Sequence, residues 1–120
     1  MVGDFVVAGG KPRRITGLDA TTVYFGEDCE DAFKVERISP IPLETGFFIK
    51  NGFARSKSGR SWQLRFSLPY GSAFISWCLW GRISVSYDKS PGNRFNGDCT
   101  FVHDFQHALK QCNVEIPIVL

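Results

Sequence analysis

No apolar run in this 120-residue chain approaches the roughly 20 residues needed to span a bilayer, so no transmembrane helix and no membrane partner are expected. The opening Met1-Val2-Gly3-Asp4 lacks a basic segment followed by an apolar one. No secretion signal is therefore expected, and the protein is read as cytoplasmic. Its four cysteines (Cys29, Cys78, Cys99, Cys112) are spaced by 49, 21 and 13 residues, with no C-x-x-C knuckle. Cys99 and Cys112 flank one expected helix, which holds them roughly 20 Å apart, too far to bridge. Reduced, buried thiols are the expectation. No Gly-x-Ser-x-Gly elbow, Walker loop or dinucleotide fingerprint is present. The acidic run at residues 27–31 lacks the spacing and the glycine of an EF-hand. Internal repeats and low-complexity tracts are missing as well. The chain reads as a non-enzyme without a cofactor.

What is present is a folded α+β chain, read as a single domain over residues 1–120. A 14% aromatic share, with eleven Phe, argues against disorder. Residues 1–38 read as an SH3-like β unit: short strands at 4–8, 13–18, 21–25 and 32–35, with Gly9-Gly10 and Asp19-Ala20 as turns. Residues 39–53 form a Pro-rich hinge, Ser39-Pro40-Ile41-Pro42-Leu43, and a short helix at 43–51 stopped by Gly52 and Phe53. Residues 54–120 read as a meander, a C-terminal helix and a last edge strand.

Within the meander, residues 61–68 alternate, with Trp62, Leu64, Phe66 and Leu68 on one face. Pro69-Tyr70-Gly71 turns the chain. Residues 73–80 look apolar on both faces, which makes Cys78 a core residue. Residues 82–87 alternate again, with Ile83, Val85 and Tyr87 inward. Residues 88–97, including Pro91-Gly92-Asn93, read as a polar loop. A helix over 101–112, capped by Asp98 or Thr100, presents Phe105 and Leu109 to the sheet. Residues 115–120 are expected as an edge strand because of Pro117.

Three stretches together resemble small uncharacterised proteins of Bacteroidetes bacteria, many from phages and other mobile elements. They are Ile38-x-Pro40-Ile41-Pro42-Leu43 followed by Lys50-x-Gly52-Phe53, the opening Gly3-Asp4-x-Val6, and Phe101-Val102-His103-x-Phe105-Gln106. The pattern departs at Glu44-Thr45-Gly46 and at His107. Pro40, Pro42, Gly52, His103 and Gln106 are thus motif residues without an assigned role. The resemblance implies a fold and a genomic setting, not a mechanism.

Charge is unevenly spread. Residues 44–97 hold eight basic residues against two acidic ones, while residues 1–43 and 98–120 each carry a net −2. Arg65 and Arg82 fall on the polar face of the meander, and Arg60, Lys89 and Arg94 in its loops. Trp62 and Trp80 would stack bases if exposed. Lys50, Arg55 and Arg94 are expected to point away from the Arg65/Arg82 face. Cys99, His103 and His107 lie at i, i+4 and i+8, the spacing of a helical metal site, but lack a further ligand. The preferred reading of this trio is structural, with His103 half-buried and hydrogen-bonded to the sheet or the Pro40 segment, and His107 exposed. The function favoured is an accessory protein acting through a protein partner. The alternative is a nucleic-acid-binding module using Arg60, Arg65, Arg82, Lys89 and Arg94. A homo-oligomer stays open.

Overall fold

A strand that alternates apolar and polar side chains must cover one face and wet the other, and this chain does so in two separate sheets. The computed structural model describes residues 1–68, 71–88 and 93–120, with backbone alone at Phe66, Leu68, Asp88 and Asn93. The expected turns at Pro69-Tyr70 and Pro91-Gly92, and the Phe66 and Leu68 side chains in the expected core, lie outside the described residues. The architecture is mixed α+β, in two compact units: residues 1–42 with 101–103, and residues 43–100 with 104–120.

The first unit is a five-stranded antiparallel sheet. Strands β1 (Phe5–Ala8), β2 (Lys11–Leu18), β3 (Thr22–Phe25) and β4 (Asp31–Lys34) form a meander. A 3₁₀ turn at Val35–Arg37 then returns the chain as β5 (Ile38–Pro40) to pair with β1. Gly9 and Gly10, at φ +60° and +76°, make the β1–β2 turn, whose handedness suits the strand twist and demands positive φ at both positions. The side chains of Val6, Ala8, Ile15, Val23 and Phe25 form the core, with Phe33 and Ile38 against it. Arg13 lies over the Phe25 and Phe33 rings and pairs with Asp31. The proline segment read as a hinge is instead built into this unit. Ser39 and Pro40 pair with β1, Pro42 bridges Phe101, and the Val102 N–H donates to the Ile41 carbonyl at 2.8 Å. Proline tolerates an edge position because its missing donor can face away from the ladder.

The second unit is a meander in the order β10-β9-β8-β7-β6: β6 (Ala54–Arg55), β7 (Ser61–Leu68), β8 (Gly71–Cys78), β9 (Arg82–Asp88) and β10 (Asn93–Asp98). Helix α1 (Thr45–Lys50) stops where expected: Gly52 adopts φ +80° and the Phe53 N–H folds back to the Phe48 carbonyl. Phe48 of α1 stacks on Trp62 and Trp77, with ring centroids 5.9 and 4.8 Å away. Phe105 of helix α2 (Val102–Gln111) meets Phe47 and Phe53 edge-on. Trp62, Ile83, Val85, Phe105 and Leu109 are all buried, as the alternation predicts.

Five expectations are corrected in this unit. Strand β8 ends at Cys78, because Gly81 (φ +85°) closes a turn that puts Leu79 and Trp80 in solvent. Cys78 is half-buried, not core. The supposed loop at 88–97 contains β10, held by its ladder to β9 although Phe95 is its one large apolar residue. Residues 115–120 form no strand; Asn51 mimics one, donating to the Val119 carbonyl and accepting its N–H, both at 2.8 Å. Helix α2 begins at Val102, so Phe101 takes the cap position rather than Asp98 or Thr100, and Asp104 reaches back to the Thr100 N–H.

Phe105→Ala removes a fully buried ring from this aromatic cluster. The expected loss is about 3–5 kcal/mol, read from the midpoint of a denaturant melt. A shift under about 1 kcal/mol would mean the ring is not part of the core.

Candidate functional site

Two surfaces gather the residues of interest. One is the face of the second sheet turned away from its helices. Because the strands are antiparallel and in register, opposite residues form rows. Arg65 pairs with Phe74, Phe74 with Ser86, and Ser86 with Arg94. The next row runs Gln63, Ser76, Ser84, Asn96, and the one after it Ser61, Cys78, Arg82, Asp98. None of these side chains is fully buried, and Arg65, Arg82 and Arg94 are exposed. The Arg65 guanidinium lies 5.0 Å over the Phe74 ring. Arg82 meets Asp98 at 3.4 Å, both well exposed, an arrangement that water competes for easily.

The expectation that Arg94 points away from Arg65 and Arg82 is therefore wrong. It sits in β10, a strand too polar to read, and the ladder places it on their face. Arg60 is exposed in the loop before β7, where its own carbonyl accepts the Leu79 N–H. Arg55 lies 5.9 Å over the Trp62 ring instead of joining the polar face. Lys89 lies outside the described residues. Trp62 is buried and so offers no stacking face, whereas Trp80 is 66% exposed. Phe74 escaped notice, although Ser72-x-Phe74-x-Ser76 marks it as the one aromatic in a polar register.

The other surface is a cleft of about 380 Å³ in the first unit. Its floor is the buried Val6, Ile15 and Val23, and its rim includes the exposed Leu18 and Val35. Pro40 and His103 complete the wall, together with Asp19. The Asp19 carboxylate accepts the N–H groups of Thr21 and Thr22 and the Tyr24 hydroxyl, all at 2.9 Å. The Thr21 N–H foremost, then Tyr24 and the Thr22 N–H, hold the carboxyl below its usual range, and the same contact pushes the Tyr24 phenol up. The ring of His103 stacks on Phe101, 5.7 Å between centroids and 9° from parallel. Val35 stands out in the sequence only as a lone apolar residue within Lys34-Val35-Glu36-Arg37, a pattern that marks no cleft by itself.

The Cys99, His103, His107 series does not form as a helical face, because Cys99 precedes the first turn of α2. Among the described residues, no three His, Cys, Asp or Glu side chains come together in a way that would hold a metal ion. His103 is half-buried as expected, and Gln106 is half-buried too; His107 is half-buried rather than exposed. Cys99 is fully buried, and burial first, then the Asp104 charge, pushes its thiol up to about 12. Burial also raises Cys112. A thiolate nucleophile is disfavoured at both.

Comparison with family models, with curated proteins and with solved structures finds no match to this chain.

The thiols give a direct check. With an aromatic disulfide reagent at pH 8, the exposed Cys29 reacts at once, while Cys99 and Cys112 react only as the protein unfolds. Native-state modification of Cys99 at the rate of Cys29 would make it a reactive thiol after all.

Proposed function

We propose that this chain is a non-enzymatic accessory protein that binds a protein partner, in the setting of a phage or other mobile element. The single observation that carries the reading is the cleft of the first unit. Its floor is apolar, and its rim leaves Leu18 and Val35 about half exposed, at 49% and 50%. Apolar side chains gathered around a concave site are what a partner's anchoring side chain fills. The titratable groups in its wall favour binding over catalysis. Asp19 is engaged by its own turn, and the His103 ring is stacked on Phe101. A catalytic pair needs polar groups that converge on a reacting atom.

We further propose that this unit is SH3-like. The support is its connectivity: a four-strand meander, a 3₁₀ turn, and a fifth strand returning to the first. The mobile-element setting rests on the Pro40, Pro42, Gly52, His103 and Gln106 motif alone. A cytoplasmic site of action fits four cysteines that form no disulfide.

Panning of a displayed peptide library tests the reading. Peptides with a bulky apolar anchor are expected to enrich, to shift the NMR signals of Leu18, Val35 and Ile38, and to lose binding to Leu18→Glu. Enriched peptides that map to other residues, or that bind Leu18→Glu equally well, would contradict it.

A further inference from the structure

We infer that the polar face of the second sheet is a platform for single-stranded nucleic acid, a site separate from the cleft. Three features converge on it. First, its charges are mostly cationic: Arg65, Arg82 and Arg94 against Asp98 and Asp88, the latter placed on this face by its register opposite Ser72. Strand spacing of about 4.8 Å sets Arg65 and Arg94 roughly 14 Å apart across the sheet. Arg82 sits two rows further along, about 14 Å down the strands. Phosphates can thus be met at both sides and at one end. Second, Phe74 lies between the two arginines on the central strand, half exposed, with Arg65 over its ring. Unpaired bases stack on aromatic rings and on guanidinium planes, and here the Arg65 guanidinium lies over the Phe74 ring. Third, the row Gln63, Ser76, Ser84, Asn96 is made of amides and hydroxyls alone. Each of them both donates and accepts, which suits the exposed edges of unpaired bases.

Size and composition separate this occupant from the others. Five strands span roughly 19 Å, wider than the roughly 12 Å major groove that admits a helix or a two-stranded ribbon. A duplex would touch the face only through its outer phosphates. The centres of protein interfaces are depleted in serine, and this face carries Ser72, Ser76, Ser84 and Ser86 on its two central strands. A second copy of the chain packed face to face about a two-fold axis would bring like arginine patches together.

The experiment is fluorescence anisotropy with a labelled oligonucleotide of about 20 bases, free and as its duplex. The single strand is expected to bind more tightly. Its affinity should fall about twentyfold between roughly 50 and 200 mM salt, the response of three neutralised phosphates. Arg65→Gln with Arg94→Gln should cut that dependence to about one phosphate, with an unchanged melting curve. Phe74→Thr should weaken binding roughly 5- to 150-fold while leaving the salt slope in place. If Phe74→Thr does not fold, the arginine pair decides alone. No binding at low salt, a preference for the duplex, or an unaltered slope in the arginine variant would overturn the assignment. So would a dimer in sedimentation that the arginine variant abolishes, because a second copy would then own the face.

Discussion

The side-chain period of two in β7, β8 and β9 sets what the second unit can be. It puts Trp62, Ala73, Ile75, Trp77, Ile83 and Val85 on one side and Arg65, Phe74, Ser76, Arg82 and Ser84 on the other. A slip of one residue would reverse every assignment. Phe48 makes that slip costly, because it stacks on both Trp62 and Trp77, which are opposite each other in the register. The Trp77 indole N–H adds a second lock by donating to the Cys99 carbonyl at 2.8 Å. Aromatic pairs of this kind contribute about 0.5–1.5 kcal/mol each beyond their buried area. The cost of ordering the chain is met mostly by such burial.

The wet face follows from the same constraint. With both helices on the tryptophan side, the opposite face holds small hydroxylated residues and three arginines. Nothing in that composition favours burial against another apolar layer. The first unit solves its own packing differently, by returning β5 to β1 through the proline segment and closing a core around Val6, Ile15 and Val23. The exposed Leu18 and Val35 beside that core are what remains uncovered.

Legibility in the sequence tracked side-chain patterning. β1 to β4, β7, β9, α1 and α2 all carry clear periods or turn residues, and their positions were readable to within a few residues. β5 was hidden by its prolines, which read as a break but serve as an edge. β10 was hidden because Asn93-Arg94-Phe95-Asn96-Gly97-Asp98 has little strand propensity; only its backbone ladder to β9 makes it a strand. Read as a loop, this segment leaves Arg94 without a face; paired as a strand, it puts Arg94 in the row of Arg65 and Phe74. Residues 115–120 failed in the opposite direction: apolar and extended, they find a side-chain amide at Asn51 instead of a neighbouring strand. The cleft was the least legible feature, since it depends on how β2 and the 3₁₀ turn approach in space.

The register is what both the core and the platform depend on, and the three tryptophans report it. Trp62 and Trp77 are 6% and 8% exposed, while Trp80 is 66% exposed. Acrylamide quenching of variants that keep one tryptophan each, the others replaced by Phe, measures this directly. Trp80 alone should be quenched nearly as free indole is, and Trp62 or Trp77 alone only weakly. Strong quenching of Trp62 and Trp77, in variants that melt cooperatively, would mean the sheet presents its other face to the helices.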